Sequence, residues 1–170
     1  MGESADPVST GDALLDGLVK LGGGLPFNRH LGVRVRSVEP GRAITVLPGN
    51  EALANHLGGV HAIAELAPVD LAGALAASSR LRPLLERGYV PVVGGLSVRY
   101  TAPADGELIA TAEVPEDAVA PAMAAADAGE KPKAVATVEV QDAAGTSVAV
   151  AELTFVYLDV GGADASNATG

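Results

Sequence analysis

Three ionisable side chains interrupt an otherwise apolar stretch near the middle of the chain. His61, Glu65 and Asp70 fall within residues 60–77, where nearly all of the remaining residues are apolar or small. A carboxylate among apolar side chains has a raised pKa, which suits a general base near neutral pH. Glu65 follows His61 by four positions, so these two side chains could also pair on one face of a helix. The stretch therefore indicates proton-transfer chemistry centred on a carboxylate.

The stretch that carries these residues is predicted to be a long buried helix. A helix that is apolar on every face is enclosed by protein or by lipid, and a bilayer rarely holds His, Glu and Asp without partners. No second apolar span exists in the sequence, which favours a helix wrapped by a twisted sheet. Pro68 removes the backbone bond to the Ala64 carbonyl, so we expect a kink that re-aims Asp70.

Alternating apolar and polar residues predict the sheet that surrounds this helix. Residues 14–21 form an amphipathic helix, which Gly22 to Gly24 should end, and residues 115–130 could hold a short helix. The predicted strands are residues 31–38, 43–47, 90–101, 107–114, 134–141 and 147–158. This order predicts an α+β protein, a curved antiparallel sheet of about six strands around a central helix. We expect one domain over residues 9–160, with disordered tails at 1–8 and 161–170.

Composition excludes several classes of function. The net charge of −10, from 11 basic and 21 acidic residues, argues against binding to nucleic acid or to anionic membranes. The absence of cysteine excludes disulfides, thiolate metal sites and cysteine nucleophiles, and it fits a reducing compartment. The first residues carry no basic and apolar secretion signal. We therefore expect a cytoplasmic protein with no metal and no bound cofactor.

The spacing of residues around the central helix resembles that of a known superfamily. Asn55 stands six positions before His61, and Asp70 follows nine positions after it, with Gly58 and Ala62 between them. Residues 96–103, LSVRYTAP, followed by Gly106, resemble the strand and proline turn of the same superfamily. Over residues 14–158 the chain resembles the hotdog-fold acyl-CoA thioesterases, in an uncharacterised subgroup of the PaaI-like branch.

This resemblance implies a role for each residue of the motif. Asp70 would be the general base or nucleophile, and the backbone N–H of Ala62 would polarise the thioester carbonyl. His61 would hold the carbonyl or the leaving sulfur, and Asn55 would orient the histidine or the water. Substrate-binding positions would be Gly58, Gly59, Glu65, Gly73 and Arg99. The resemblance also implies a homodimer or homotetramer in which the carbonyl donors and the carboxylate come from opposite subunits.

Departures from the superfamily pattern leave alternatives open. Ala62 and Ile63 stand where two glycines are common, and Glu65 could replace Asp70 as the working carboxylate. Asp70 could instead pair with a basic residue such as Arg99. Coenzyme A as substrate would need a basic patch, for which the chain offers Arg80, Arg82, Arg87, Arg99, Lys131 and Lys133. The second functional hypothesis is a non-catalytic hotdog protein that binds acyl-CoA as a sensor or scaffold.

Overall fold

A single antiparallel sheet of six strands organises the protein. The computed structural model describes residues 8–161, so the two predicted tails lie almost entirely outside the described residues. The strands are β1 (Arg34–Glu39), β2 (Arg42–Leu47), β3 (Tyr89–Tyr100), β4 (Leu108–Glu113), β5 (Lys133–Gln141) and β6 (Ser147–Asp159). Their order across the sheet is β1-β2-β4-β5-β6-β3. All neighbouring pairs are antiparallel. Because β1 and β3 stand at the two ends of this order, they are the edge strands.

Five α-helices accompany the sheet in the part of the chain that the structure describes. They are α1 (Ala13–Gly24), α2 (Pro26–Leu31), α3 (Leu66–Arg80), α4 (Arg82–Glu86) and α5 (Val119–Asp127). The sheet curves around α3, whose residues from Ala67 to Ser79 are buried except at Asp70 and Ala74. The predicted α+β hotdog architecture, a curved sheet wrapped around a central helix, is therefore confirmed. None of the helices within residues 8–161 reaches the length and apolarity needed to span a membrane.

The central helix begins later than the sequence predicts. The helix starts at Leu66, and residues 61–65 form turns in which Ala64 N–H donates to the His61 carbonyl at 2.8 Å. Pro68 consequently falls in the first turn, where a backbone N–H has no partner within the helix. The predicted kink at Pro68 was therefore wrong, since no intrahelical bond is lost there. His61 also lies outside the helix.

The segment before β1 differs from the prediction only after α1. α1 ends at Gly24, within the predicted stop at Gly22 to Gly24, and Gly22 lies where this helix passes close to α3. A Cβ atom at Gly22 would lie 2.7 Å from the Leu71 side chain. Between α1 and the first strand, where the sequence predicts no regular element, the chain forms the short helix α2, which Pro26 begins and Gly32 ends with a φ of 78°. The first strand accordingly begins at Arg34 rather than at residue 31.

The edge strand β3 is incompletely covered. Every residue from Val92 to Ser97 is exposed, on both faces of the strand. Leu96 lies opposite Leu153, a buried residue of β6 that faces α3, so Leu96 also faces the helix side. It nevertheless remains 44% exposed. The helix of one chain thus leaves the inner face of β3 open.

Candidate functional site

Asn55 organises the loop that leads to the candidate site. Its side-chain amide donates to the Val60 carbonyl at 3.0 Å, and its side-chain oxygen accepts from Leu57 N–H at 2.8 Å. Its backbone N–H donates to the Gly59 carbonyl at 2.7 Å. Both ends of the side chain thus bond within the loop, and neither bond is to His61.

Gly58 and Gly59, two of the predicted substrate-binding positions, lie in the same loop where a side chain would not fit well. Gly58 has a φ of 87°, in the left-handed region that favours glycine. A Cβ at Gly59 would lie 2.7 Å from the Ala104 carbonyl oxygen, because the loop crosses the turn after β3. Val60 N–H donates to that same oxygen at 2.9 Å. Gly58 and Gly59 also line a surface cleft of about 240 Å³, together with Asp105 and Gly106.

His61 is exposed, and one ring nitrogen is already engaged. Its Nδ1 accepts from Ile63 N–H at 3.1 Å, and its own backbone N–H donates to the Leu53 carbonyl at 2.8 Å. A neutral imidazole whose Nδ1 accepts a hydrogen bond carries its proton on Nε2. His61 can therefore offer an N–H donor to a group that approaches from solvent.

Ala62 presents an unused backbone donor beside His61. Its N–H donates to no other atom of residues 8–161, while its carbonyl accepts from the Tyr100 hydroxyl at 2.7 Å. Ala62 lies in the turn that precedes α3 rather than in the first turn of the helix. The predicted donor is thus free, and it is held by a contact with β3 that the sequence did not reveal.

Asp70 is the exposed carboxylate of the central helix. Its neighbours Val69 and Leu71 are buried, and surrounding protein atoms desolvate the carboxyl enough to raise its pKa above the usual range. It makes no ion pair or side-chain hydrogen bond within the described residues. The carboxyl is therefore accessible to water and available to take up a proton.

Glu65 lies in a contrasting environment, although it is only five residues away. The side chain is 4% exposed, and its Oε2 atom is buried without a hydrogen-bond partner. Burial raises the pKa of Glu65 to about 7. Within residues 8–161, no group of three or more His, Asp or Glu side chains is arranged to hold a metal ion. Neither Asp70 nor Glu65 therefore belongs to such a group, and the raised pKa of each carboxyl suits proton transfer.

Comparison with known proteins places this geometry in a family. Residues 19–157 match the family described as Domain of unknown function (DUF4442). The chain belongs to the DUF4442 family. No curated protein sequence shows significant similarity to it.

Solved structures similar to this DUF4442 protein share the hotdog fold. A probable thioesterase of unknown function from Pseudomonas aeruginosa has a TM-score of 0.72 and 20% identity, over 89% of this chain and 96% of that one. A thioesterase family protein from Silicibacter pomeroyi has a TM-score of 0.68 and 23% identity, over 85% and 98%. A thioesterase from Haemophilus influenzae has a TM-score of 0.67 and 18% identity, over 85% and 90%. At these identities the likeness establishes the fold.

Two predicted binding residues of this DUF4442 protein lie apart from the others. A Cβ at Gly73 would lie 3.2 Å from the Phe155 ring, so this glycine serves the packing of α3 against β6. Arg99 is opposite Val150 and follows the inward-facing Leu96 by three positions, which places it on the outer face of the sheet. The sheet therefore separates Arg99 from Asp70, and the two do not form an ion pair.

The basic residues predicted for coenzyme A are also dispersed. Arg82 pairs with Asp12 and with Glu86, and Arg87 lies 2.8 Å from Asp127. Arg80 donates from Nε to the Val114 carbonyl at 3.0 Å. These three side chains are occupied within the single chain. The structure thus brings together the loop, His61, Ala62 and the start of α3, whereas Lys131 and Lys133 line another surface cleft.

Proposed function

We propose that this DUF4442 protein hydrolyses the thioester bond of an acyl-CoA, giving a free acid and coenzyme A. In this reaction Asp70 takes a proton from water, and the resulting hydroxide attacks the thioester carbonyl carbon. The Ala62 N–H and the His61 Nε2–H stabilise the negative oxygen of the tetrahedral intermediate. The C–S bond then breaks, and the departing thiolate takes up the proton that Asp70 removed from water.

The observation that carries this proposal is the unused N–H of Ala62, held beside His61 and followed along the chain by an accessible carboxylate. An oxyanion site requires donors that are fixed before the reaction and not already occupied. Asn55, the Ala104 carbonyl and Tyr100 fix the backbone on both sides of this amide. Removal of one such donor typically costs about 10²–10³ in rate.

Asp70 is the better candidate for the working base than Glu65. The base must reach water and the thioester carbon, and the Asp70 side chain is exposed whereas Glu65 is 4% exposed. The pKa of Asp70 is raised by burial, in the direction that favours proton uptake near neutral pH. Glu65 would have to leave its buried position to act on substrate.

A dimer is part of the proposal, because the open side of the site needs cover. Asp70 projects from the exposed side of α3, and β3 leaves its inner face uncovered. Pairing of β3 with the same strand of a second copy would cover both surfaces and exclude water from the reacting groups. Tetramers formed from such dimers are compatible with the same site.

Hydrolysis of a panel of acyl-CoA substrates, followed by detection of free thiol, tests the proposal. Asp70→Asn keeps the size of the side chain but removes the base, so we expect kcat to fall by about 10²–10⁴-fold. Asp117→Asn is the matched control, since Asp117 is an exposed carboxylate in the connection between β4 and α5. Equal turnover by the two variants would exclude Asp70 as the base.

One observation favours the second candidate function, acyl-CoA binding without hydrolysis. Ile63 follows Ala62 and is 67% exposed, so its side chain limits how closely a substrate can approach the Ala62 amide. A protein that binds acyl-CoA in equilibrium dialysis but releases no thiol from any substrate would fit this function. Replacement by glycine, Ile63→Gly, would then be the first variant in which to look for turnover.

A further inference from the structure

α1 and α3 pack side by side and run in opposite directions. Asp12, which precedes α1, forms an ion pair with Arg82, which follows α3. At the other end of α1, a Cβ on Gly22 would lie 2.7 Å from the Leu71 side chain. The carboxyl end of α1 therefore lies beside the first turns of α3, which carry Asp70.

Three leucines of α1 lie on the same side of this helix pair as Asp70. The residues of α1 that face α3 are Leu15, Val19 and Gly22. The residues directly before them are Leu14, Leu18 and Leu21. Asp70 likewise directly precedes Leu71, the residue of α3 that meets α1, and one position along a helix is a rotation of about 100°. In two antiparallel helices, the same rotation away from the line of contact leads to the same side of the pair.

An open strip, formed by Asp70 and Ala74, runs along α3 between α1 and β3. Around the axis of α3, both residues lie between Leu71, which meets α1, and Gly73, which meets β6. Asp70 is exposed and Ala74 is half-buried. Because β3 is the next strand beyond β6, its inner face borders the open strip on the side away from α1.

The borders of the open strip are apolar, and the strip ends at a buried residue. Leu21 on α1 is 62% exposed, and Leu96 on the inner face of β3 is 44% exposed. Ala77 lies about two turns beyond Asp70 on the same side of α3, but it is 0% exposed. The helix rises about 10 Å between these two residues. The open strip is therefore about as long as an extended octanoyl chain, and Asp70 stands at its start.

We propose that the acyl chain of the substrate lies along this open strip, and that Leu18, Leu21 and Ala74 select an unbranched aliphatic chain of medium length. This inference rests on the proposed function, because it starts the chain at the carboxylate that acts as base. Ala74 is small and leaves room for the chain, while the two leucines contact it from α1.

The chemistry of the open strip matches a hydrocarbon. Apart from Asp70, the residues that form and border it are alanine and leucine. A hydrocarbon chain gains free energy by leaving water for such a surface, whereas a polar acyl group would lose hydration without gaining hydrogen bonds. A side chain of a second copy placed here would shield Asp70 from substrate. In the proposed dimer the second copy therefore lies over the bound chain and does not replace it.

The dependence of hydrolysis on chain length tests the length of the open strip. We expect kcat/KM for octanoyl-CoA to exceed that for butanoyl-CoA by at least about tenfold, since each methylene held against an apolar surface adds to binding. Dodecanoyl-CoA should be no better than octanoyl-CoA, because its last carbons pass the buried Ala77. Equal kcat/KM for butanoyl-CoA and octanoyl-CoA, or a steady rise through dodecanoyl-CoA, would overturn the proposal.

Two substitutions test the residues that select the chain. Ala74→Leu fills the middle of the open strip, so the octanoyl to butanoyl ratio of kcat/KM should fall about tenfold. Ala124→Leu makes the same exchange at an exposed position of α5 and should keep the wild-type ratio. Leu21→Gln places an amide beside the chain, and because Leu21 is exposed this variant should fold normally and lower the ratio about threefold. Wild-type ratios in both Ala74→Leu and Leu21→Gln would overturn the proposal.

Binding of octyl-CoA and butyl-CoA thioethers, which cannot be hydrolysed, separates this inference from the proposed function. By calorimetry, wild type should bind octyl-CoA at least about tenfold more tightly than butyl-CoA, and Ala74→Leu should lose this preference. If wild type shows this preference but releases no thiol from any acyl-CoA, the proposed function fails and the assignment of the chain to the open strip stands. If wild type hydrolyses acyl-CoA but binds both thioethers equally, the assignment fails and the proposed function stands.

Discussion

Asp70 and Glu65 lie on adjoining parts of the chain, but only one of the two carboxylates is placed to meet solvent. Asp70 is exposed on the open side of α3, whereas Glu65 is buried at the start of the helix. Surrounding protein atoms desolvate both carboxyl groups and so raise the pKa of each, although the Asp70 side chain also reaches solvent. The accessible group can meet water and substrate, while the buried group is shielded from both.

The buried position of Glu65 predicts a pH dependence of stability. Its pKa is about 7 in the folded protein and 4.5 in the ordinary reference state, so the folded protein binds this proton more tightly. The resulting stabilisation is fully present below about pH 4.5 and is lost as pH rises through about 7. Relaxation around the charge reduces the full linkage energy, so we expect the free energy of unfolding to fall by about 2 kcal/mol over this range.

Urea unfolding of wild type and Glu65→Gln between pH 4.5 and 8 measures this contribution. The difference in stability between the two proteins should change with pH, with Glu65→Gln gaining relative to wild type as pH rises from about 4.5 through about 7 and no further above that. Glu130→Gln, which alters an exposed glutamate, should follow wild type throughout. Parallel curves for wild type and Glu65→Gln would mean that Glu65 is charged in the folded protein well below neutral pH.

The sequence shows the spacing of the candidate site residues but not their contacts. The spacing of Asn55, His61 and Asp70 is visible in the printed sequence, and so is the apolar setting of the carboxylates. The bond from Tyr100 to Ala62 spans 38 positions, and no local pattern indicates such a contact. The same holds for Asn55, whose side chain is occupied by Val60 and Leu57 rather than by His61.

At the scale of elements, the loop between Asn55 and His61 decides where the candidate donors lie. It is fixed by side-chain bonds of Asn55 and by its passage over the turn after β3, where Val60 N–H meets the Ala104 carbonyl. Gly59 makes this close passage sterically feasible. The loop is therefore expected to be rigid, which is what a preformed oxyanion site requires.

Replacement of Gly59 by alanine should disrupt this loop. The added Cβ would lie 2.7 Å from the Ala104 carbonyl oxygen, so the loop or the turn must shift. We expect a loss of about 1–3 kcal/mol in stability, comparable to overpacking of a core, and a loss of hydrolysis larger than the loss of stability explains. Thermal unfolding and the thiol assay, run on the same preparations, measure both effects.

Gly17→Ala is the control, and it should change stability in the opposite direction. Gly17 lies within α1, and a Cβ there would meet no atom within 4 Å. Alanine in a helix interior is more favourable than glycine, so this variant should be stabilised by about 0.5–1 kcal/mol with unchanged turnover. If Gly59→Ala were as stable and as active as Gly17→Ala, the loop would not be as tightly constrained as its contacts indicate.

The strands could be predicted from the sequence, but the start of α3 could not. Alternation at period two located all six strands to within about three residues, because one face of the sheet is turned toward α3 and the other toward solvent. The start of α3 was placed too early, since residues 62–65 form turns before the helix although most of them are apolar. The close approach of α1 to α3 was equally hidden, since only the folded chain shows that a Cβ at Gly22 would lie 2.7 Å from the Leu71 side chain.

At the scale of the whole molecule, the sheet ends in a strand that one chain does not cover. β3 is twelve residues long, and in the sheet formed by residues 8–161 it pairs with β6 along one edge and with no strand along the other. Its exposed large apolar side chains include Val90, Val92, Val93, Leu96 and Tyr100. A long apolar edge strand left open pairs with other chains unless it is blocked. In a symmetric pair of copies joined at β3, the backbone groups along the free edge of β3 would form hydrogen bonds, and its inner face would be buried.

A charge on the inner face of β3 should therefore separate the copies. Leu96 faces the helix side and is 44% exposed, so in a dimer joined at β3 it would be buried against the second copy. Leu96→Lys would place an unpaired ammonium group in that interface, which costs several kcal/mol. We expect sedimentation or light scattering to show dimers or larger assemblies for wild type and monomers for Leu96→Lys.

Val135→Lys is the matched control, because Val135 is 40% exposed on β5. Val135 pairs with Thr154 and lies on the outer face of the sheet, away from α3. This variant should retain the dimer, and it should fall from tetramer to dimer if tetramers form through the outer face. Thiol release should decline with the dimer in Leu96→Lys and persist in Val135→Lys, since in the proposed function the second copy covers Asp70 and the inner face of β3 and excludes water from the reacting groups. A monomeric Leu96→Lys that hydrolyses acyl-CoA at the wild-type rate would show that one chain holds a complete site.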